Sequence, residues 1–198
     1  MSLTFGDVFC GAGGFSLGFV QVGYQHLWGL DSDKHACGSY EANVGHALCT
    51  RVESVNWLSL ARPDVLIGSP PCQGYSMAGK RQREDERNLL VWAFVWAVAT
   101  LRPEAFVMEN VPGIGQGDWT QYPSIIRMAL ETIGYRVTVM KLNAADYGVP
   151  QIRKRVFWIG ARNFLPQVPP QTHSEMPFNG YRPWVTVAEV LGIAVKPW

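Results

Sequence analysis

The fold of this chain is decided by the stretch Val65-Leu66-Ile67-Gly68-Ser69-Pro70-Pro71-Cys72-Gln73-Gly74-Tyr75-Ser76. The apolar run at residues 65–67 is bounded by turn residues, which predicts a buried strand followed by a loop. Pro71 fixes its own φ and biases Pro70 toward an extended backbone, so this loop is stiff. Because α/β folds build their sites at the carboxyl ends of strands, a thiol at Cys72 suits a positioned nucleophile. A buried structural cysteine is the alternative, since burial is the usual fate of a free thiol.

Apolar strands alternate with helical patterns along the rest of the chain. We predict strands at residues 3–9, 24–30, 48–52, 65–68, 105–108, 135–142 and 155–159, and helices at residues 15–22, 34–43, 89–101 and 124–133. This alternation predicts an α/β fold with an open, mostly parallel, doubly wound sheet that carries helices on both faces. Prolines at 166, 169, 170, 177, 183 and 197 predict a surface connection, interrupted by a short helix at residues 187–191. The predicted organisation is one domain over residues 1–163 and a proline-rich connection over residues 164–198.

The composition narrows the class of protein. The chain has 198 residues, of which 47% are hydrophobic and 17% charged, as in a soluble globular protein with a sizeable core. The net charge of +1 means that any surface that binds nucleic acid must be local or supplied elsewhere. The cysteines, at 10, 37, 49 and 72, form no C-x-x-C pair, so no zinc site is predicted and reduced thiols of a cytosolic protein are favoured. No signal-peptide pattern begins the chain, and the apolar run at residues 89–101 is shorter than the roughly 20 residues of a membrane span.

A second motif is the glycine-rich run Asp7-Val8-Phe9-Cys10-Gly11-Ala12-Gly13-Gly14-Phe15, between a predicted strand and a predicted helix. Glycines at such a place let a ligand approach the backbone and meet the amides of a helix N-terminus. Asp31 closes the next strand, where nucleotide-binding folds place a carboxylate that binds ribose. The pattern differs from G-x-G-x-x-G because Gly18 falls inside the helix, and a plain tight turn is the alternative.

Two charged motifs lie in the second half of the chain. Glu109-Asn110-Val111 ends a predicted strand, where the carboxylate is either a site residue, a helix cap or a solvated strand end. In Gln151-Ile152-Arg153-Lys154-Arg155 the cations alternate, so Arg153 and Arg155 are predicted to share one face of a strand. A charged strand edge is the alternative for this second motif.

Taken together and in this order, the four runs resemble those of the DNA (cytosine-5)-methyltransferase family, over roughly residues 3–162. The resemblance implies the Rossmann-like fold of S-adenosylmethionine-dependent methyltransferases. It also implies transfer of a methyl group from S-adenosylmethionine to carbon 5 of cytosine in DNA. The alternatives are a non-catalytic module that binds S-adenosylmethionine or nucleic acid, and an RNA cytosine-5 methyltransferase.

The resemblance assigns residues that bind the cofactor. In this assignment Phe9 stacks on the adenine and Asp31 holds the ribose hydroxyls. Glu53 stands where the family usually has Asp, and Ser54 replaces the usual apolar neighbour. The full implied set is Asp7, Phe9, Cys10, Gly11, Ala12, Gly13, Gly14, Asp31, Ser32, Glu53, Ser54, Pro71 and Leu90.

The resemblance also assigns the chemistry. Cys72 is the implied nucleophile, because a thiolate added to carbon 6 of cytosine makes carbon 5 reactive. Glu109 would hold ring N3 and the exocyclic amine, Arg155 would meet ring O2, and Arg153 would support the loop. The target base must first be flipped out of the duplex, and no residue is assigned to removing the carbon 5 proton. The implied substrate-binding residues are Gln73, Ser76, Lys80, Arg81, Asn110 and Gln151.

Two regions bear on the binding of DNA. The charged segment at residues 79–88, which contains Lys80 and Arg81, resembles the family's mobile loop, and a merely solvated loop is its alternative. Residues 172–187 resemble the lead-in to the family's target-recognition domain, which the sequence does not contain. The chain is therefore expected to be one polypeptide of a split enzyme, a truncated product, or a compact self-sufficient variant. Its expected partners are double-stranded DNA and, in the split case, a second polypeptide. No metal and no membrane are expected, and the expected location is the cytoplasm of a prokaryote, with a phage origin equally open.

Overall fold

The computed structural model describes residues 2–71, 89–117, 120–178 and 180–193. Within these ranges a seven-stranded sheet contains β1 (Thr4–Val8), β2 (Gln25–Asp31), β3 (Ala47–Cys49), β4 (Val65–Gly68), β5 (Ala105–Asn110), β6 (Arg136–Asn143) and β7 (Lys154–Ala161). The helices are α1 (Gly14–Gln21), α2 (Lys34–Asn43), α3 (Leu90–Leu101), α4 (Tyr122–Thr132) and α5 (Val187–Leu191). The predicted α/β alternation is confirmed, and the bounds of β4 and α2 are those predicted from the sequence.

The strand order places a ligand site at one edge of the sheet. The order is β3-β2-β1-β4-β5-β7-β6, and all neighbours pair in parallel except β7, which is antiparallel to both β5 and β6. The chain runs outward from β1 in one direction through β2 and β3, and in the other through β4 and β5. The order therefore reverses between β1 and β4, and in doubly wound folds ligands bind beyond the carboxyl ends of the strands at this point.

Each face of the sheet has its own core, because side chains alternate along every strand. On one face Phe5 and Ile67, both fully buried, pack with Phe19 of α1. On the other face Phe106 of β5 packs edge-on against Phe94 of α3, with ring centroids 6.3 Å apart. Burying a side chain of this size stabilises a fold by about 1.5–3 kcal/mol. The two cores thus fix the strand ends from which the site loops leave.

Several element boundaries differ from the predictions for local reasons. α4 begins at Tyr122, before the predicted start, because Pro123 fits the first turn of a helix, where its missing N–H costs nothing. The prediction that the third strand extends to residue 52 is wrong, because β3 ends at Cys49 and a short 3-10 helix, Val52–Ser54, follows. No helix in the described ranges has both the length and the apolar character needed to cross a membrane.

The proline-rich segment folds back onto the sheet domain. Its short strands β8 (His173–Ser174) and β9 (Arg182–Pro183) pair in parallel. The indole N–H of Trp184 donates a hydrogen bond of 2.9 Å to the carboxylate of Asp146. The sequence predicted α5 at its observed bounds but not the strand pair, because two-residue strands show no periodicity.

Candidate active site

A cavity of about 580 Å³ lies at the switch point of the sheet. Its first wall is the glycine loop after β1, with Phe9, Cys10, Gly11, Gly14 and Phe15. Its second wall comes from the ends of β4, β5 and β7, with Ser69, Glu109, Arg153 and Arg155. The cavity therefore brings together the glycine-rich motif and both charged motifs found in the sequence.

The glycine loop adopts backbone conformations that side chains disfavour. Gly11 has a φ of 53° and Gly13 a φ of 95°, and Phe9 adopts a φ of 64°, which is uncommon for a residue of its size. A Cβ on Gly13 would lie 2.7 Å from a methyl group of Val44. A Cβ on Gly11 or Gly14 would meet nothing within 4 Å. The loop is thus packed against the domain at Gly13 and leaves open space at Gly11 and Gly14, which line the cavity.

Asp31 fixes the glycine loop to the end of β2. One carboxylate oxygen accepts the backbone N–H of Gly11 at 2.9 Å, and the other accepts the backbone N–H of Asp33 at 2.9 Å. Asp33 in turn caps α2 by accepting from the amides of His35 and Ala36. Because each carboxylate oxygen has two lone pairs, Asp31 can still accept a further hydrogen bond from a ligand.

Asp7 lies beneath the loop and does not line the cavity. Its side chain is 1% exposed, and one oxygen accepts the Ser16 hydroxyl at 2.6 Å. Ser16 also shares a hydrogen bond of 2.7 Å with the Tyr40 hydroxyl. The other Asp7 oxygen has no partner among the described residues. Burial raises the pKa of Asp7 to about 7, against the lowering effect of the Ser16 bond. This geometry gives Asp7 a supporting position under α1 and the loop, without contact with the cavity.

Glu109 is the carboxylate of the second wall. Arg155 Nε lies 2.6 Å from Glu109 Oε1, and Arg153 Nη2 lies 3.9 Å from the same atom. The Glu109 side chain is 16% exposed, and burial raises its pKa above the ordinary value, while the charges of Arg155 and Arg153 oppose the rise. The two predicted cations therefore share one face, although Arg153 precedes β7.

The loop before β7 is held by a residue that the sequence analysis missed. Asn143, at the end of β6, is 8% exposed, and its side-chain oxygen accepts the backbone N–H of Arg153 at 3.0 Å. The Ala144 N–H donates to the Arg153 carbonyl, also at 3.0 Å. Four further residues of this wall were not singled out, namely Leu142, Ala144, Tyr147 and Phe157. The pairing of Glu109 with Phe157 across β5 and β7 would have indicated Phe157, but this register cannot be obtained from periodicity.

The remaining predicted residues that the structure describes do not line the cavity. Asn110 is 1% exposed, and its side-chain amide donates to the Pro70 carbonyl at 3.2 Å, which ties the end of β5 to the loop after β4. Glu53 lies in the 3-10 helix after β3, where it pairs with Arg51 at 3.4 Å. Gln151 is exposed on the loop before β7. The other predicted residues outside the lining are Ala12, Gly13, Asp31, Ser32, Ser54, Pro71 and Leu90.

Several predicted residues lie outside the described part of the chain. These are Cys72, Gln73, Ser76, Lys80 and Arg81, together with the rest of the charged segment at residues 79–88. Their assignments stay predictions from the sequence. Among the described residues, no three His, Cys, Asp or Glu side chains are grouped as ligands for a metal ion.

Comparison with known proteins gives consistent results. Residues 3–189 match the family described as C-5 cytosine-specific DNA methylase. The Type II methyltransferase M1.HphI of Haemophilus parahaemolyticus is 42% identical over 174 residues, which cover 82% of this chain and 47% of that protein. The Type II methyltransferase M.XorII of Xanthomonas oryzae is 41% identical over 172 residues, which cover 81% of this chain and 41% of that protein. The chain thus spans about half the length of the curated relatives it matches.

Solved structures show the same architecture. An E. coli prophage protein described as a DNA modification methyltransferase aligns with a TM-score of 0.74 and 28% identity, over 96% of this chain and 54% of that one. The S. pombe Dnmt2 methyltransferase aligns with a TM-score of 0.68 over 85% of this chain and 52% of that one. Its identity of 18% supports a shared fold and nothing further.

Proposed function

This chain belongs to the C-5 cytosine-specific DNA methylase family, and we propose that it is the catalytic portion of an enzyme that methylates carbon 5 of cytosine in DNA. One observation carries the proposal: a single cavity is lined by a glycine loop and by a half-buried carboxylate with two arginines. A loop that binds a methyl donor and a group that holds a cytosine ring must face the same space for a methyl group to pass between them. Neither wall alone would distinguish this reaction from simple ligand binding.

The first wall fits S-adenosylmethionine. Gly11 and Gly14 leave open space where other residues would place a Cβ, so a ligand can reach the backbone. Helix α1 begins at this loop without a side-chain cap, which leaves its first amides for a ligand. Phe9 offers a ring in the cavity lining. Asp31, which lies outside the lining but is bonded to Gly11 of the lining, offers a carboxylate for ribose hydroxyls. When bound, the cofactor supplies an electrophilic methyl group.

The chemistry assigned to the chain's own residues concerns the cytosine ring. The Cys72 thiolate forms a bond to carbon 6, and the displaced electron pair makes carbon 5 nucleophilic. Glu109 holds a proton at ring N3 and so stabilises the charge that develops in the ring. Its raised pKa supports this role, because a carboxyl group with a higher pKa keeps a proton more readily. After the methyl group has joined carbon 5, a base takes the carbon 5 proton, the double bond reforms and the thiolate leaves.

Arg155 has the geometry to hold Glu109 in place and to contact the cytosine ring. Its guanidinium contacts both Glu109 and the Lys154 carbonyl, at 2.6 and 2.8 Å, which orients it at the cavity wall. We assign it to ring O2, with Arg153 in support. The chain matches about half the length of its curated relatives. We therefore propose that recognition of the DNA target involves a second polypeptide.

The test is transfer of labelled methyl groups from S-adenosylmethionine to mixed-sequence duplex DNA, with cofactor binding measured in parallel by calorimetry. Cys72→Ser should abolish transfer and keep cofactor binding. Cys49→Ser, which removes an exposed thiol, is the matched control and should keep both. Absence of cofactor binding in the unaltered chain would contradict the proposal. Cofactor binding without transfer would favour either the non-catalytic module or a requirement for the second polypeptide. Transfer that appears when the second polypeptide is added would favour the split enzyme over the non-catalytic module.

A further inference from the structure

A second cavity lies on the proline-rich segment, apart from the catalytic one. Its volume is also about 580 Å³, and its lining consists of Gln171, Thr172, His173, Gly180, Tyr181 and Arg182. The strand pair β8–β9 forms its frame: the Arg182 N–H donates to the Thr172 carbonyl at 3.0 Å, and the Trp184 N–H donates to the Ser174 carbonyl at 3.1 Å. The cavity is therefore built from regular backbone pairing.

Asp146 anchors this cavity to the catalytic domain. Its carboxylate accepts the side-chain N–H groups of Gln171 and Trp184, at 3.2 and 2.9 Å, and its carbonyl accepts the Thr172 N–H at 3.0 Å. Asp146 lies in the 3-10 helix Ala144–Tyr147, which contributes Ala144 and Tyr147 to the catalytic cavity. One short helix thus lines the catalytic cavity and holds the second cavity in place.

The second cavity is attached at the same end of the sheet as the first. β5 and β6 are both antiparallel to β7, so they run in the same direction and end on the same side of the sheet. The 3-10 helix follows directly after β6. The ring of His173 packs on Gly148, where an added Cβ would lie 2.8 Å from it. The neighbouring Tyr147 lines the catalytic cavity. The two cavities are therefore neighbours through the segment at residues 144–148.

The lining of the second cavity suits an anion. It contains a guanidinium, an imidazole, a phenol, an amide and a hydroxyl, and it contains no carboxylate. Arg182 is exposed, and within the described ranges it takes part in none of the ion pairs. Asp146, the carboxylate behind the wall, already accepts from Gln171 and Trp184. The Tyr181 ring is oriented by an edge contact with Phe178, with centroids 5.6 Å apart.

We propose that this second cavity binds a backbone phosphodiester of the DNA strand whose cytosine enters the catalytic cavity, with Arg182 as the main contact. The proposal rests on the proposed function, since it names where the substrate of that function is held. Arg182 positions the strand and takes no part in the chemistry. Such contacts fix register and orientation on DNA and carry no sequence information.

The test measures binding of fluorescent duplex DNA by anisotropy over a series of salt concentrations, without cofactor. One phosphate contact contributes about 0.9 to the slope of log affinity against log salt, which is about eightfold at 0.1 M relative to 1 M. Arg182→Ala should therefore lose about eightfold in affinity at 0.1 M and about 0.9 in slope, and Arg182→Lys should recover most of the slope. The matched control is Arg162→Ala, at the opposite edge of the sheet, where Arg162 pairs with Glu104 at 3.3 Å. It should keep both values.

The outcomes separate the two proposals. Suppose that the unaltered chain binds DNA and that Arg182→Ala loses no more affinity and no more slope than Arg162→Ala does. The phosphate site is then wrong, and the proposed function stands. If the unaltered chain binds no duplex DNA even at the lowest salt, the phosphate site is wrong for this chain, and the proposed function is decided separately by the methyl-transfer and cofactor-binding measurements. Far-ultraviolet circular dichroism of each variant checks that the exposed substitutions leave the fold intact.

Discussion

The two walls of the cavity at the switch point of the sheet are held by different kinds of interaction. On the glycine-loop side, backbone amides and a buried, hydrogen-bonded group of Asp7, Ser16 and Tyr40 fix the loop. On the carboxylate side, Glu109 is fixed by the charges of Arg155 and Arg153. The first wall is proposed to bind the cofactor through its shape and its accessible backbone. The second wall is proposed to act on the cytosine ring through a carboxylate that the surrounding protein has partly desolvated. Substitutions on the two walls should therefore affect different measurements, namely cofactor affinity and the rate of methyl transfer.

The largest effect is expected from Glu109→Gln. The amide cannot hold a proton at ring N3, and positioned acid–base groups contribute about 10²–10⁴-fold to rates. We expect methyl transfer to fall by at least about 100-fold, with cofactor affinity unchanged. Glu104→Gln, an exposed change just before the same strand, is the control and should transfer methyl groups normally. An equal loss of cofactor affinity in Glu109→Gln would show that the two walls do not act separately.

A smaller effect, on stability, is expected from Asp7→Asn. The pKa of Asp7 is about 7 in the folded protein and 3.8 in the unfolded chain, so the folded state binds more protons between these values. Stability therefore falls as the pH rises through this window, by at most about 1.4 kcal/mol per pH unit. Asn cannot ionise and should flatten the fall between pH 5 and pH 7, as measured by urea unfolding.

Asp64→Asn is the control for this measurement. Asp64 accepts hydrogen bonds from the N–H and hydroxyl of Thr4, which lower its pKa, so it titrates below this window. Its substitution should change stability equally at pH 5 and pH 7. If Asp7→Asn keeps the unaltered protein's slope, Asp7 does not carry a proton in the folded state.

The smallest effect is expected from a pair of alanine substitutions in α1. Neither Gly14 nor Gly18 has a neighbour within 4 Å of an added Cβ, but only Gly14 lines the cavity. Alanine at either position should keep or raise stability, by up to about 1 kcal/mol, because Gly is the poorer helix former. Gly14→Ala alone should weaken cofactor binding in calorimetry. Equal affinity in both variants would mean that the first wall does not contact the cofactor through its open backbone.

The sequence was most informative where local chemistry decides the structure. The apolar run of β4, the capped helix α2 and the glycine loop follow from neighbouring residues, and all three lie where they were predicted. Tertiary arrangement could not be predicted in this way. The position of β7 between β5 and β6 depends on long-range pairing, so the contact of Asn143 with Arg153 was missed. The second cavity was missed for a similar reason, since its proline-rich segment shows no periodicity and was predicted as a surface connection.

Folding of this chain should end at its carboxylate wall. β6 and β7 are neighbours in sequence and can pair as a hairpin at a low cost in chain entropy, whereas β1 and β4 pair across a long separation. Glu109 meets Arg155 when this hairpin docks on β5. During synthesis, one edge of β5 therefore stays unpaired until β7 has left the ribosome. Until then Glu109 also lacks its ion pair with Arg155. A chain cut short before β7 would keep an open strand edge on β5, and such edges favour aggregation.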